Sequence, residues 1–244
     1  MNPLQHTTLT MKSYLFACLP LLLTVTAPHA EPLVADRPGF STGTYTVSPG
    51  HYNIELGLQA ESGSHTFPLS NVRIGLTPVA ELDLQWSGWN FANGTTTVGD
   101  LTLGGKYRLF DSDTLDLSLL GLLTLPSGNG NPEGSRAAPL AALLWSHETT
   151  GLFGMLQLAS SNPGSLQTNL QTAIGASFSH GEQLSSYLEL YADHPLNHTG
   201  DDSYMVDGGF SWLLDERTQL DLHLGLDMNG NAADFIGLGF ARSY

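Results

Sequence analysis

Ionisable side chains in this sequence fall on alternate positions of extended runs, not in compact constellations. Glu55, Arg73, Glu81, Asp83, Asp100, Lys106, Arg108, Asp116, Glu189, Asp207, Asp221, His223 and Asp227 share one parity of stretches whose other parity is Leu, Ile, Val, Phe, Tyr or Trp. A spacing of two puts such groups on one face of a strand. Read from run to run, Glu55, Arg73, Glu81 with Asp83, Lys106 with Arg108, and Asp116 alternate in sign, so a ladder of ion pairs is expected along that wall. Glu189, Asp207, Asp221 and Asp227 have no obvious basic partner, which points to a wall that favours cations or neutral solutes. Phe153, Met155, Tyr187, Tyr191 and Met205 share the charged parity and would narrow the enclosed space or give it an aromatic surface.

Sharper chemistry is harder to assemble. His194 and His198, flanked by Asp193, Asp201 and Asp202, have metal-ligating types, but Pro195 lies between them and no helix aligns the rings. The Gly-rich stretch 128–134 does not join a strand to a helix, as a phosphate cradle requires. Ser146, His147 and Glu148 are triad types, yet as neighbours in one turn they cannot face one another. The expectation is therefore no catalytic residues, no metal and no cofactor.

Composition sets the surroundings of these groups. The chain has 244 residues, only 13% of them charged, with 27 Gly, against about 25% charged in ordinary soluble domains. Eight Lys+Arg against 23 Asp+Glu give a net charge of -15, which excludes a basic nucleic-acid binder. The single cysteine, Cys18, excludes a disulfide scaffold. It lies in an apolar stretch, Tyr14 to Val25, that follows Lys12 and precedes Ala30. Residues 1–30 therefore read as a secretory signal peptide, with Met11 as a start and Ala30 as the cut.

From residue 51 onwards, period-two alternation continues to the last residue. Twelve runs are legible: 51–60, 70–77, 81–89, 97–110, 114–125, 136–146, 152–160, 166–179, 184–193, 203–213, 218–228 and 234–244. Each approaches the 9–11 residues of a tilted bilayer-crossing strand. Tight turns, such as the one at Thr77–Ala80, alternate with longer loops at 126–135 and 194–202. The fold expected is all-β: a transmembrane, antiparallel, up-and-down β-barrel of about 12 strands spanning 51–244. Residues 31–50, rich in Pro, Gly, Ser and Thr, would be an irregular lead-in.

Charge decides which face points where. So many ionisable groups cannot fill a dry core, but they can line a wet lumen while apolar side chains meet lipid. Trp86, Trp89, Tyr107, Trp145, Tyr204, Phe210, Trp212 and Tyr244 fall near run ends, as interfacial girdles do. Gly239, Phe240 and the terminal Tyr244 match the C-terminal signal read by the outer-membrane assembly machinery, an expected partner together with membrane lipid and a small-molecule solute.

Two stretches carry a family resemblance. Ala35-Asp36-Arg37-Pro38-Gly39-Phe40-Ser41, and Val47-Ser48-Pro49-Gly50 leading into Tyr52-Asn53-Ile54-Glu55-Leu56-Gly57, resemble the opening of a bacterial outer-membrane "transporter" family labelled after the meta-cleavage pathway of phenol degradation. The resemblance implies an outer-membrane barrel and passage of small molecules, and it brings no catalytic residues. The combined expectation is a Gram-negative outer-membrane barrel acting as a passive channel for small solutes, aromatic or hydrophobic ones among them. The alternatives are a non-transporting structural or surface-binding barrel, and a membrane-embedded lipid-modifying enzyme.

Overall fold

The computed structural model describes residues 32–244, so the expected signal peptide lies outside the described residues. Fourteen strands follow in chain order: β1 (Tyr52–Glu61), β2 (Ser64–Thr77), β3 (Ala80–Trp86), β4 (Trp89–Ala92), β5 (Thr95–Val98), β6 (Leu101–Phe110), β7 (Asp116–Leu125), β8 (Ala138–His147), β9 (Leu152–Ser161), β10 (Gln167–Ser179), β11 (Leu184–Pro195), β12 (Ser203–Asp215), β13 (Thr218–Asp227) and β14 (Phe235–Ser243). Every pairing is antiparallel, and β1 pairs with both β2 and β14, so the sheet closes.

The fourteen strands make twelve staves. β2 pairs with β3 over its second half and with β4 over its first, while β3 pairs with β6 and β4 with β5. Residues 80–92 are thus one stave interrupted at Ser87-Gly88, and residues 95–110 another, interrupted at Gly99-Asp100. The alternation read from the sequence stopped short at this corner. Trp89–Val98 continues the two staves into a hairpin closed by Asn93 and Gly94, whose φ angles of 51° and 75° suit the turn that matches strand twist.

The seam is closed by the last residue. Tyr52 N and Tyr244 N each donate to the other's carbonyl, at 3.1 and 2.9 Å, and the two rings stack with centroids 5.0 Å apart. Around the ring the strands satisfy one another's backbone groups, which a bilayer demands, while β5, in the hairpin beyond the corner, pairs with β4 alone.

The molecule is inside-out by soluble standards. Of its largest fully buried side chains, Arg73, Lys106, Glu55, Glu189, Asp83, Asp207 and Ser118 are polar, and only Leu144 is apolar. Leu188, Leu190, Ile174, Leu222, Leu224, Leu226 and Leu238 stand on the outer face, exposed. One apolar strip does face inward, on β7 to β10, where Leu120, Ala142, Leu144, Met155 and Ala173 cluster.

Candidate functional site: the lumen and the segment inside it

Residues 32–51 form no strand; they occupy the lumen. The segment enters at the end that carries Tyr244, where Leu33 N donates to Glu216 O in the β12–β13 turn at 2.7 Å. It reaches its furthest point at Gly39-Phe40. The Phe40 ring stacks on Tyr191 (centroids 4.2 Å) and meets Phe235 edge-on (5.7 Å), and it packs against the inward apolar strip. The chain then returns to the turns of the same end, where Thr46 Oγ1 donates to Pro78 O.

On the β1–β6 wall the segment is held by charge. Arg73 lies at the centre: it reaches Glu81 at 3.0 Å, Glu55 at 3.2 Å and Asp36 at 3.2 Å. It also donates to the carbonyls of Val34 (2.8 Å) and Tyr45 (2.9 Å). Lys106 Nζ sits 2.8 Å from Asp36 and 3.2 Å from Glu81. Glu81 in turn accepts from Val47 N at 2.6 Å. Buried charges need such dense pairing, because each costs several kcal/mol to desolvate.

The ladder of alternating charge therefore needs correcting. It runs from Glu55 through Arg73 and Glu81 to Lys106, with Asp36 of the lead-in as an added rung, and stops there. Arg108 turns away to Asp111 at 2.6 Å and packs over the Tyr45 ring. Asp116 accepts from Ser112 N in its own turn and from Ser146. Asp83 faces Arg73 in register, yet neither of its oxygens has a partner among the described residues. The guanidinium is already committed to Glu81, Glu55 and Asp36.

The second wall also differs from expectation, since two of its acids take their partners from the lead-in. Arg37 Nη2 meets Asp221 Oδ1 at 3.3 Å, and Gln219 donates to Arg37 O at 3.2 Å. Glu189 accepts the backbone N–H groups of Phe40 (2.8 Å) and Ser41 (3.1 Å). Arg37 can lie against this wall because Gly57 and Gly239 carry no side chain; a Cβ would come within 2.3 Å of its guanidinium at Gly57 and 2.4 Å of its Nε at Gly239. Asp207 accepts from the Tyr187 hydroxyl at 2.7 Å, and His223 is buried with both ring nitrogens unpartnered among the described residues. Asp227 lies at the far rim of β13 and accepts from Asn229 N at 3.3 Å.

The residues weighed as a triad and as a metal site have other occupations. Ser146 hydrogen-bonds Thr44 at 2.9 Å, and Glu148 accepts from the Tyr45 hydroxyl, so this turn anchors the returning lead-in. His194 lies 3.1 Å from Asp202, while His198 bonds Asn169 at 2.7 Å. Between the lead-in and β10–β13 a cavity of about 310 Å³ stays open, lined by Arg37, Ser185, Ser211 and Gln219 among others.

The lead-in contacts were not anticipated. Their one signal in the sequence is that Asp36 and Arg37 are charged residues in a Pro/Gly-rich stretch, with bases on one wall and unpaired acids on the other.

A closed twelve-stave barrel with a lipid-compatible exterior and an ionic lumen defines an outer-membrane barrel type of fold. Solved barrels of that type are similar to most of it. A KdgM porin in complex with disordered oligogalacturonate is 11% identical, with a TM-score of 0.59, over 79% of this chain and 99% of that one. A NanC porin is 10% identical, with a TM-score of 0.58, over 78% and 98%. The COG4313 outer membrane channel from Pseudomonas putida F1 is 15% identical, with a TM-score of 0.59, over 85% and 99%. No curated protein matches the chain in sequence. Residues 35–244 match the family described as "Putative MetA-pathway of phenol degradation", and the chain belongs to that family. The match begins at the box that the structure places inside the lumen.

Proposed function

We propose that the protein is a passive channel of the Gram-negative outer membrane for small molecules, aromatic and apolar solutes among them, with its bore set by residues 32–50. On this reading the end carrying Tyr244 faces the periplasm and the longer loops face outward. Twelve staves enclose more room than the eight whose side chains fill a barrel, and less than the sixteen to eighteen of a wide porin.

The observation that carries the reading is how the lead-in is attached. Between Val34 and Val47, no backbone-to-backbone hydrogen bond ties it to the wall among the described residues; side chains hold it. An insert held in this way narrows a lumen without becoming part of its sheet. The inward apolar strip and the stacked Phe40 and Tyr191 give an apolar solute a surface.

The structural or surface-binding barrel and the lipid-modifying enzyme separate from this reading by one measurement. Purified protein reconstituted into liposomes should admit small neutral and aromatic solutes faster than protein-free liposomes. Flux equal to the protein-free control would reject the channel, and release of fatty acid from labelled lipid would favour the enzyme.

A further inference from the structure

We propose that the outer face of the barrel carries a seat for one ethanolamine phospholipid. Arg242 and Arg217 hold its phosphate, acids of the same rim hold its ammonium, and an acyl chain lies in the groove at Gly208. The proposal goes beyond the channel reading and rests on it only for which leaflet supplies the lipid.

Arg242 is the one base on the outward parity of a strand among the described residues. A cation on that face is tolerated near the edge of the bilayer and not at its middle. Its neighbours mark that edge: the guanidinium lies 5.6 Å from the ring of Tyr244, which stacks on Tyr52. Arg242 Nη1 donates to Thr218 Oγ1 at 3.1 Å, and that hydroxyl donates to Asp215 Oδ2 at 3.1 Å. Arg217, in the β12–β13 turn, meets Asp215 through its backbone N–H, at 2.8 Å. Both guanidinium groups are thus without an ion pair among the described residues. At this rim lies a cavity of about 630 Å³, lined by both arginines and by Glu182, Asp215 and Glu216.

The charges select the headgroup. Two guanidinium groups with donors to spare match the oxygens of a phosphate. Three carboxylates on the same cavity oppose a headgroup that is only anionic and favour one whose phosphate is followed by an ammonium. A primary ammonium gives them three N–H donors, which a trimethylated one lacks. An ethanolamine phospholipid carries this pair of groups and no further charge.

The same strands continue the seat into the bilayer. Further from the rim, an apolar groove of about 460 Å³ lies over β12 on the outer face, lined by Leu188, Val206, Phe210, Leu222, Leu224 and Leu226. Its floor is Gly208, which stands between Leu188 and Leu224 in register and has no side chain to fill the space. Trp212 and Leu220, exposed and paired in register, lie between the groove and the rim. A basic cavity at the membrane surface binds lipid headgroups. An apolar groove on the same strands suits the lipid and gives nothing to a free phosphate.

The test uses the full chain purified in detergent, with bound lipids counted by native mass spectrometry. It is titrated with palmitoyl-oleoyl phosphatidylethanolamine, phosphatidylglycerol or phosphatidylcholine. The ethanolamine lipid should bind at least about tenfold more tightly than the other two, a difference of about 1.4 kcal/mol. Arg217→Gln combined with Arg242→Gln should bring the three affinities together. Arg136→Gln, beside the β9–β10 loop at the opposite rim, should leave the preference intact. Glycerophosphoethanolamine, which has the headgroup and no chains, should fail to displace the lipid at equal concentration; displacement would remove the groove from the seat and overturn the proposal. Equal affinities in the native chain, or a preference for phosphatidylglycerol, would overturn it as well, and that comparison stands even if the double variant fails to fold. Solute flux into liposomes keeps the two readings apart: lipid preference without flux rejects the channel and leaves the seat, and flux without lipid preference does the reverse.

Discussion

Asp36 and Lys106 stand seventy positions apart in the chain and meet inside the barrel, Nζ to Oδ1 at 2.8 Å. The lysine belongs to the wall and the aspartate to the segment that precedes the first strand. This pair, with Arg73 beside it, joins an irregular segment to a closed sheet that pairs fully without it. The barrel and its insert therefore answer to different substitutions.

Gly57 and Gly239 give a steric test of that separation. Each leaves the space in which Arg37 lies, so Gly57→Leu should expel Arg37 from Asp221 and loosen the insert while the barrel persists. The expected result is a severalfold rise in conductance with the heat-dependent shift in gel mobility retained. Gly121→Leu, on the outer face with nothing within 4 Å of its built Cβ, should leave conductance unchanged. Gly239→Ala separates two roles: an assembled barrel with raised conductance assigns Gly239 to the Arg37 cradle, whereas loss of the folded band assigns it to the assembly signal.

All four tryptophans should report lipid. Trp86, Trp145 and Trp212 stand on the outward parity of β3, β8 and β12, and Trp89 is exposed on β4. Brominated acyl chains should quench most of the emission, and aqueous iodide little of it. The reverse order would place the apolar face inward and reject the membrane orientation.

Tyr45 links the insert to alkaline pH. Burial, and then the hydrogen bond to Glu148, raise its phenol above the ordinary tyrosine range. A group raised in the folded state contributes fully below its unfolded value of about 10 and loses that contribution as pH rises through the folded one. The part of the conductance that depends on Tyr45 should therefore be flat in pH up to that range and rise in stronger alkali. Tyr45→Phe, which has no proton to lose there, should remove this part of the rise; an unchanged profile would exclude Tyr45 as its source.

The staves were legible because each needs only local information: Leu115, Leu117 and Leu119, or Leu220, Leu222 and Leu224, show their period within a few residues. The corner at Trp89–Val98 was not, because Gly88 and Gly99 interrupt the alternation where the staves bend. The inward set of Glu55, Arg73, Glu81, Lys106, Glu189, Asp207 and Asp221 follows from parity alone. Their partners do not. Residues 31–50 have no period, and contacts such as Arg37–Asp221, separated by 184 positions, leave no trace in spacing. The wall of Glu189 and Asp221 looked unpaired only because its partners belong to a segment without regular structure.

The most direct measurement is single-molecule conductance of the native chain beside Asp36→Asn combined with Arg37→Gln. The double variant removes the insert's charges from both walls, while Arg73 keeps Glu55 and Glu81. Breaking a buried pair on one side costs about 3–5 kcal/mol, enough to undock a segment held by side chains. The expected result is a small native conductance and a severalfold larger one in the variant, with the folded barrel intact on gels. Equal conductance in the two would contradict an insert that sets the bore.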